Sequence, residues 1–179
     1  MHNDLIFDIG MHQGEDTEFY LAKGFRVVAV EANADLCERV TKKLAPAVAE
    51  GRLTVVNKAI SDQPGEITFY ASERSIWGTV DRAWADRNQR LGTGNTEQTV
   101  VATTMGELVA EHGVPYYAKI DIEGMDMVAL RGFNASGEGR FVGPFVYSDI
   151  LVSWVGASEF SYMNQPFLPE FQNPSQSLI

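Results

Sequence analysis

Cysteine is nearly absent: Cys37 stands alone, so neither an internal disulfide framework nor a cysteine zinc cluster can form. A lone thiol suits a reducing compartment. No basic leader or apolar export segment can be drawn ahead of Leu5, and together these features point to the cytoplasm. Basic residues are scarce as well, with 14 Lys plus Arg against 24 Asp plus Glu and a formal charge of -10. That excess of acid repels phosphate backbones and anionic bilayers, which sets nucleic acid and membrane aside as partners. No run comes near the roughly 20 apolar residues that cross a bilayer, and there is no internal repeat. What the 179 residues do have is 45% hydrophobic content, enough for one core, and a single domain over residues 1–179 is expected.

Short apolar runs alternate with helical patterns through the first two thirds of the chain. That alternation predicts an α/β fold, a parallel sheet with helices on its faces. Leu5 to Ile9, Arg26 to Val30 and Leu53 to Val56 read as strands. A helix from Gly14 to about Lys23 separates the first two. Asn33 is a candidate N-cap for the next helix, where Leu36, Val40 and Leu44 recur on one stripe. Gln63-Pro64-Gly65 is a turn into Glu66 to Tyr70, an antiparallel or edge strand, so a hairpin and loop insertion is expected over about residues 63–98. From Ala71 to Gln98 the pattern fades, and a functional or mobile loop is expected there. Its Trp77, Trp84 and arginines would suit an aromatic or anionic acceptor, or would pair with Glu73, Asp81, Asp86 and Glu97. Thr99 to Ala102 is a strand, and Thr104 with Glu107 forms a capping box. Tyr116 to Ile122 is a strand, Gly124 to Arg131 a helix stopped by Gly132, and Phe145 to Val152 a last strand. Residues 153–179, with Pro166, Pro169 and Pro174, are expected to be irregular.

Three places carry chemistry. Asp8-Ile9-Gly10-Met11-His12-Gln13-Gly14 lies between a strand and a helix, where a bare backbone and helix amides face a ligand. His12 occupies the place where a pyrophosphate would want no side chain, which disfavours a nicotinamide or flavin dinucleotide. Glu31 ends the second strand, near the remove of about 20 residues from such a turn at which an acid reaches a ribose. Alone, it would read as an exposed strand-end acid. Finally, Lys119-Ile120-Asp121-Ile122-Glu123-Gly124 brings two carboxylates to a strand end. On one strand face they would need a cationic ligand, a metal or a shared proton; otherwise they cap the following helix through backbone amides. Lys119 reads most simply as a strand-end lysine screening those acids.

These blocks, Phe7 to Gly14, Val30-Glu31-Ala32-Asn33 and Lys119 to Gly124 with Leu130-Arg131-Gly132, closely resemble the FkbM-type methyltransferases, a branch of the class I S-adenosylmethionine-dependent superfamily. The resemblance implies a Rossmann-like, doubly wound, mostly parallel sheet. It also implies methyl transfer from S-adenosylmethionine, usually to a hydroxyl of a small molecule, sugar or lipid-like acceptor. Asp8, Gly10 and Gly14 would then form the cofactor turn, Glu31 would hold the ribose, and Asp121 and Glu123 would border the methionine moiety and the acceptor. His12, Asp121 and Glu123 are the candidate bases, with no metal assigned. On this reading Gly10→Val should block the ligand while the fold survives, and Glu31→Ala should weaken binding.

The chain departs from the family at its end, where the usual antiparallel strand pair is expected to be missing or divergent. A bare strand edge left by that loss would favour a homodimer. A catalytically inactive cofactor-binding or interaction module, left by loss of the C-terminal part, is the competing reading.

Overall fold

A computed structural model describes residues 2–73, 77–135, 145–147 and 151–152. Strand β1 (His2–Ile9) leads through helix α1 (Glu15–Ala22) to β2 (Arg26–Val30), and α2 (Ala34–Lys43) and α3 (Ala45–Ala49) lead on to β3 (Leu53–Val56). Next come β4 (Ala59–Ile60), β5 (Gly65–Ser72), α4 (Arg82–Arg90) and β6 (Asn95–Thr103). The chain then gives α5 (Met105–His112), β7 (Pro115–Ile120), α6 (Asp126–Ala135), β8 (Phe145–Tyr147) and β9 (Leu151–Val152).

The main sheet has the order β3-β2-β1-β7-β8-β9. Its pairs are parallel apart from the antiparallel β8 and β9. This is a Rossmann-like α/β fold, and its central strands explain why. Leu5, Phe7 and Ile9 of β1 join Val28, Val30, Ala118 and Ile120 in a core against α5 and α6, through Met105, Leu108, Leu130 and Phe133. Ile6, from the alternate positions, joins Val27 and Ala29 against Tyr20, Leu21, Cys37, Val40 and Ala47 of α1, α2 and α3. A strand buried on both faces must be apolar at nearly every position, and β1 breaks that rule at Asp8, which is fully buried on the α1 side. Strand order runs outward from β1 in both directions. The crevice beyond the carboxyl ends of β1, β2 and β7 is therefore the switch point at which such sheets bind ligands.

The N-cap and capping box form as expected. Asn33 Oδ1 accepts from the Asp35 and Leu36 amides, and Thr104 and Glu107 satisfy each other's backbone donors. Four expectations need correction. First, residues 71–98 are not one loop among the described residues. β5 runs to Ser72 and β6 begins at Asn95, and the two pair antiparallel over their length in a separate sheet of order β4-β6-β5. Between them lies α4, N-capped by Asp81, whose side chain accepts from the Ala83 and Trp84 amides. Second, Gly132 does not stop a helix. It sits inside α6, where a β-carbon would lie 3.0 Å from Met105 Cβ, so glycine lets α6 approach α5 closely. Third, β7 ends at Ile120 rather than Ile122. Fourth, Phe145 to Val152 is not a single strand: β8 is paired antiparallel by β9, which is the outermost strand on that side among the described residues. Residues 153–179, expected to be irregular, and Arg74 lie outside the described residues. Among the described residues no helix is long and apolar enough to cross a membrane.

Candidate active site

β1 opens into a turn with positive φ at Gly10 (82°), His12 (52°) and Gly14 (81°). The amides of Gly10 and Met11 both donate to the Val30 carbonyl, at 2.9 and 3.1 Å, which binds the turn to the end of β2. A β-carbon on Gly10 would lie 1.9 Å from the Asp121 carbonyl oxygen. Glycine is needed here for two backbones to meet, and Gly10→Val would damage the fold itself, contrary to the expectation that the fold would survive. Gly14 also serves packing, since a β-carbon there would meet Val40 of α2 at 3.0 Å.

Beneath the turn, Asp8 Oδ2 accepts from the Thr17 hydroxyl of α1 at 2.6 Å, and Oδ1 lies 3.3 Å from the Lys119 ammonium. Lys119 also donates to the Gly10 carbonyl at 2.6 Å and stands 3.7 Å from Asp16 Oδ2. Burial alone would lower the lysine pKa. Asp8, Asp121 and Asp16 outweigh that effect and raise it, so the ammonium stays charged.

Glu31 emerges at the end of β2. Oε2 accepts from the His12 amide at 3.0 Å and Oε1 from the Asn33 amide at 2.9 Å. One carboxylate thus secures the β1 turn and the start of α2 together. Burial raises its pKa despite the opposing pull of those amides and of His12 and Lys119. Behind it, the Cys37 thiol donates to the Glu31 carbonyl at 3.3 Å. Burial, and then the Glu31 charge, push that thiol up to about 12, so it is protonated and inert at neutral pH.

Beyond β7 the chain bends at once, with φ of 43° at Glu123 and 100° at Gly124. Asp121 and Glu123 therefore do not share a strand face, although both border the same cavity. The amide-capping role considered for them falls to buried Asp126. Its Oδ1 accepts from the Ile122 amide at 3.0 Å and its Oδ2 from the Gly124 amide at 3.2 Å. From the insertion, the Thr79 hydroxyl donates to the Glu123 carbonyl at 2.7 Å. The Trp84 ring covers Gly124 so closely that a β-carbon there would lie 2.9 Å from the indole.

These turns enclose a cavity of about 350 Å³, at the small end of the range for ligand sites. Gly10, His12, Glu31, Asp121 and Glu123 border it, as does the insertion through Phe69, Gly78, Thr79 and Val80. Asp8 and Gly14 do not; they support the turn from outside the cavity. Trp77, Trp84, Arg82, Arg87 and Arg90 are likewise not on its walls. Arg87 instead stacks on Trp84, 5.0 Å from the ring centroid. Five acidic residues, Glu15, Asp16, Glu31, Asp121 and Glu123, border the cavity together with the lysines Lys58 and Lys119.

A model of the FkbM methyltransferase domain matches residues 8–153. The chain belongs to the FkbM methyltransferase family. No curated protein and no solved structure matches it. In this FkbM domain the matched span contains the whole acidic rim, and the chemistry of the rim fits the methyl donor that the family implies. S-adenosylmethionine carries a sulfonium and an ammonium, which a carboxylate-rich, half-enclosed site stabilises, whereas a pyrophosphate would be repelled. Ile60, Phe69 and Met125 supply apolar wall for a base. Among the described residues no group of three or more His, Cys, Asp or Glu side chains is placed to hold a metal ion.

Sequence reasoning missed the supporting parts of this site. Thr17 and Asp16 stand on the first turn of α1, where nothing in the spacing marks them as partners of Asp8 and Lys119. Asp126 was legible, as an acid at the start of a helix two residues beyond Gly124. Thr79 lay hidden in the segment read as a loop.

Proposed function

We propose that this chain is an S-adenosylmethionine-dependent methyltransferase acting on a hydroxyl oxygen of a small-molecule, sugar or lipid-like acceptor. The observation that carries the reading is the convergence of Glu31, Asp121 and Glu123 on one cavity at the rims of β1, β2 and β7. An ionised carboxylate has about four lone-pair sites. Each Glu31 oxygen uses one on a backbone amide, which leaves acceptor capacity on both oxygens for the two ribose hydroxyls. The apolar wall at Ile60 and Phe69 suits adenine, and Asp121 suits the ammonium of the methionine moiety.

Bound there, S-adenosylmethionine supplies an electrophilic methyl group on sulfur. The protein's part is chiefly positional. It must hold the acceptor oxygen in line with that methyl at near-contact distance and keep water out. Gly78, Thr79 and Val80 form part of the cavity wall and would help to keep water from the bound groups. An alcohol must also lose its proton. Glu123, whose main-chain carbonyl is held by Thr79, Asp121 and His12 are the groups bordering the cavity that could serve as that base.

Titration calorimetry with S-adenosylmethionine and with its demethylated product tests the reading, and saturable binding of both is expected. Absence of binding at millimolar ligand ends it. A radiolabel-transfer screen over hydroxylated acceptor pools then tests catalysis. Binding without transfer to any pool would identify an inactive cofactor-binding module instead.

A further inference from the structure

Lys119 is a basic residue of the rim that reaches under the β1 turn. Its side chain is 13% exposed, and it approaches the Gly10 carbonyl, Asp8 and Asp16 at 2.6, 3.3 and 3.7 Å. Its hydrogen bond goes to the Gly10 carbonyl, while Asp8 and Asp16 stand beside it as ion-pair partners. From the β2 side, Val30 takes the Gly10 and Met11 amides and Glu31 takes the His12 amide. Lys119 reaches the same turn from β7, on the opposite side of β1. The turn is therefore pinned from both neighbouring strands, by its N–H groups on one side and by a carbonyl on the other.

We propose that Lys119 is a positioning residue for the donor site: by gripping the Gly10 carbonyl it sets the height and tilt of the Gly10–His12 turn, with Asp8 and Asp16 as its counter-charges. The inference rests on the methyltransferase reading and deepens it. It separates two roles that a strand-end lysine can have. If Lys119 only balanced buried Asp8, removing both charges together would restore function. If it positions the turn, neutralising Asp8 relieves the buried charge and leaves the Gly10 carbonyl untethered.

The decisive comparison is Lys119→Met against the double variant Lys119→Met/Asp8→Asn. In the latter the asparagine carbonyl can still accept from Thr17. Lys119→Met should lower the melting temperature, because it leaves a buried carboxylate without its cation, and Asp8→Asn on that background should recover most of the loss. Affinity for S-adenosylhomocysteine should stay about tenfold or more below wild type in both, the scale of one lost charge-assisted hydrogen bond. Amide hydrogen exchange on the ligand-free proteins supplies a readout independent of binding: Met11 and His12 should exchange faster in the double variant than in wild type while β2 does not change. A double variant with wild-type affinity and wild-type exchange at Met11 and His12 would overturn the proposal. If wild type itself binds no ligand, the methyltransferase reading fails, and the exchange comparison still decides whether Lys119 positions the turn.

Discussion

At the end of β1, Glu31 reaches across from β2 and accepts amides from His12 and Asn33. At the end of β7, Asp126 accepts amides from Ile122 and Gly124 within its own turn. Both turns hold a non-glycine residue at positive φ, His12 and Glu123, a conformation that costs about 1 to 3 kcal/mol unless the surroundings enforce it. The means of enforcement differ. The β1 turn has one backbone bond of its own, from the Gly14 amide to the Met11 carbonyl, and is otherwise tied to β2 through Val30 and Glu31 and to β7 through Lys119. The β7 turn carries its own side-chain clasp, and the insertion adds a bond through Thr79.

The strongest way to break the comparison is Gly10→Ala, which forces a β-carbon against the Asp121 carbonyl at a φ of 82°. It should cost about 3 kcal/mol or more and disturb both turns together, as read by urea unfolding. Next, Glu31→Ala and Asp126→Ala should each cost about 1 to 3 kcal/mol, since each strips two backbone donors of a charged acceptor. Calorimetry with S-adenosylmethionine should separate them: the first weakens binding by about tenfold or more, the second by much less. Equal losses would erase the distinction between a cross-strand and a local clasp. Thr79→Val removes one hydroxyl donor at similar volume and should cost about 1 kcal/mol, with methyl transfer more affected than donor affinity.

The smallest effect is one of pH. Burial raises the pKa of Glu31 above its ordinary 4.5 in the folded protein, so between that value and the folded one the native state holds more protons than the unfolded chain. Stability attributable to this group therefore falls as pH rises through that window and is recovered on acidification. Glu31→Gln should flatten the profile there, measured as unfolding free energy against pH. Asp126 is raised from 3.8 for the same leading reason, burial, and its own window opens lower.

Much of the main sheet was legible because β1, β2 and β7 are buried on both faces, which writes them into the sequence as short apolar runs. The Asp8 to Gly14 turn, Glu31 and the Lys119 to Glu123 block were legible for a related reason: each sits where such a run stops. The insertion was legible only in part, through Glu66 to Tyr70 and Thr99 to Ala102, which read as strands. In α4 the buried residues are only Ala85 and Asn88, and the first half of β6 shows Glu97 and Gln98 to solvent, so these stretches have no apolar period to read. Gly10 was located correctly and explained wrongly, because the object it makes room for is the main chain at Asp121, 111 residues away along the chain. Local spacing carries no record of that approach. The short reach of β7 was missed because Asp121 still hydrogen-bonds to Ile9, and a strand pattern continues for one residue after the strand has ended.

The β4-β6-β5 sheet is built outside the Rossmann-like core, yet it supplies the Phe69 and Gly78–Val80 side of the cavity. The cavity wall is thereby shared between the Rossmann-like core and an excursion from it. On the proposed reading, substitutions at Gly78, Thr79 or Val80 would reshape the acceptor side, whereas substitutions at Ile60 or Phe69, in the same excursion, would disturb the wall offered to adenine, so the tip of the excursion is the part to vary when a new product is wanted.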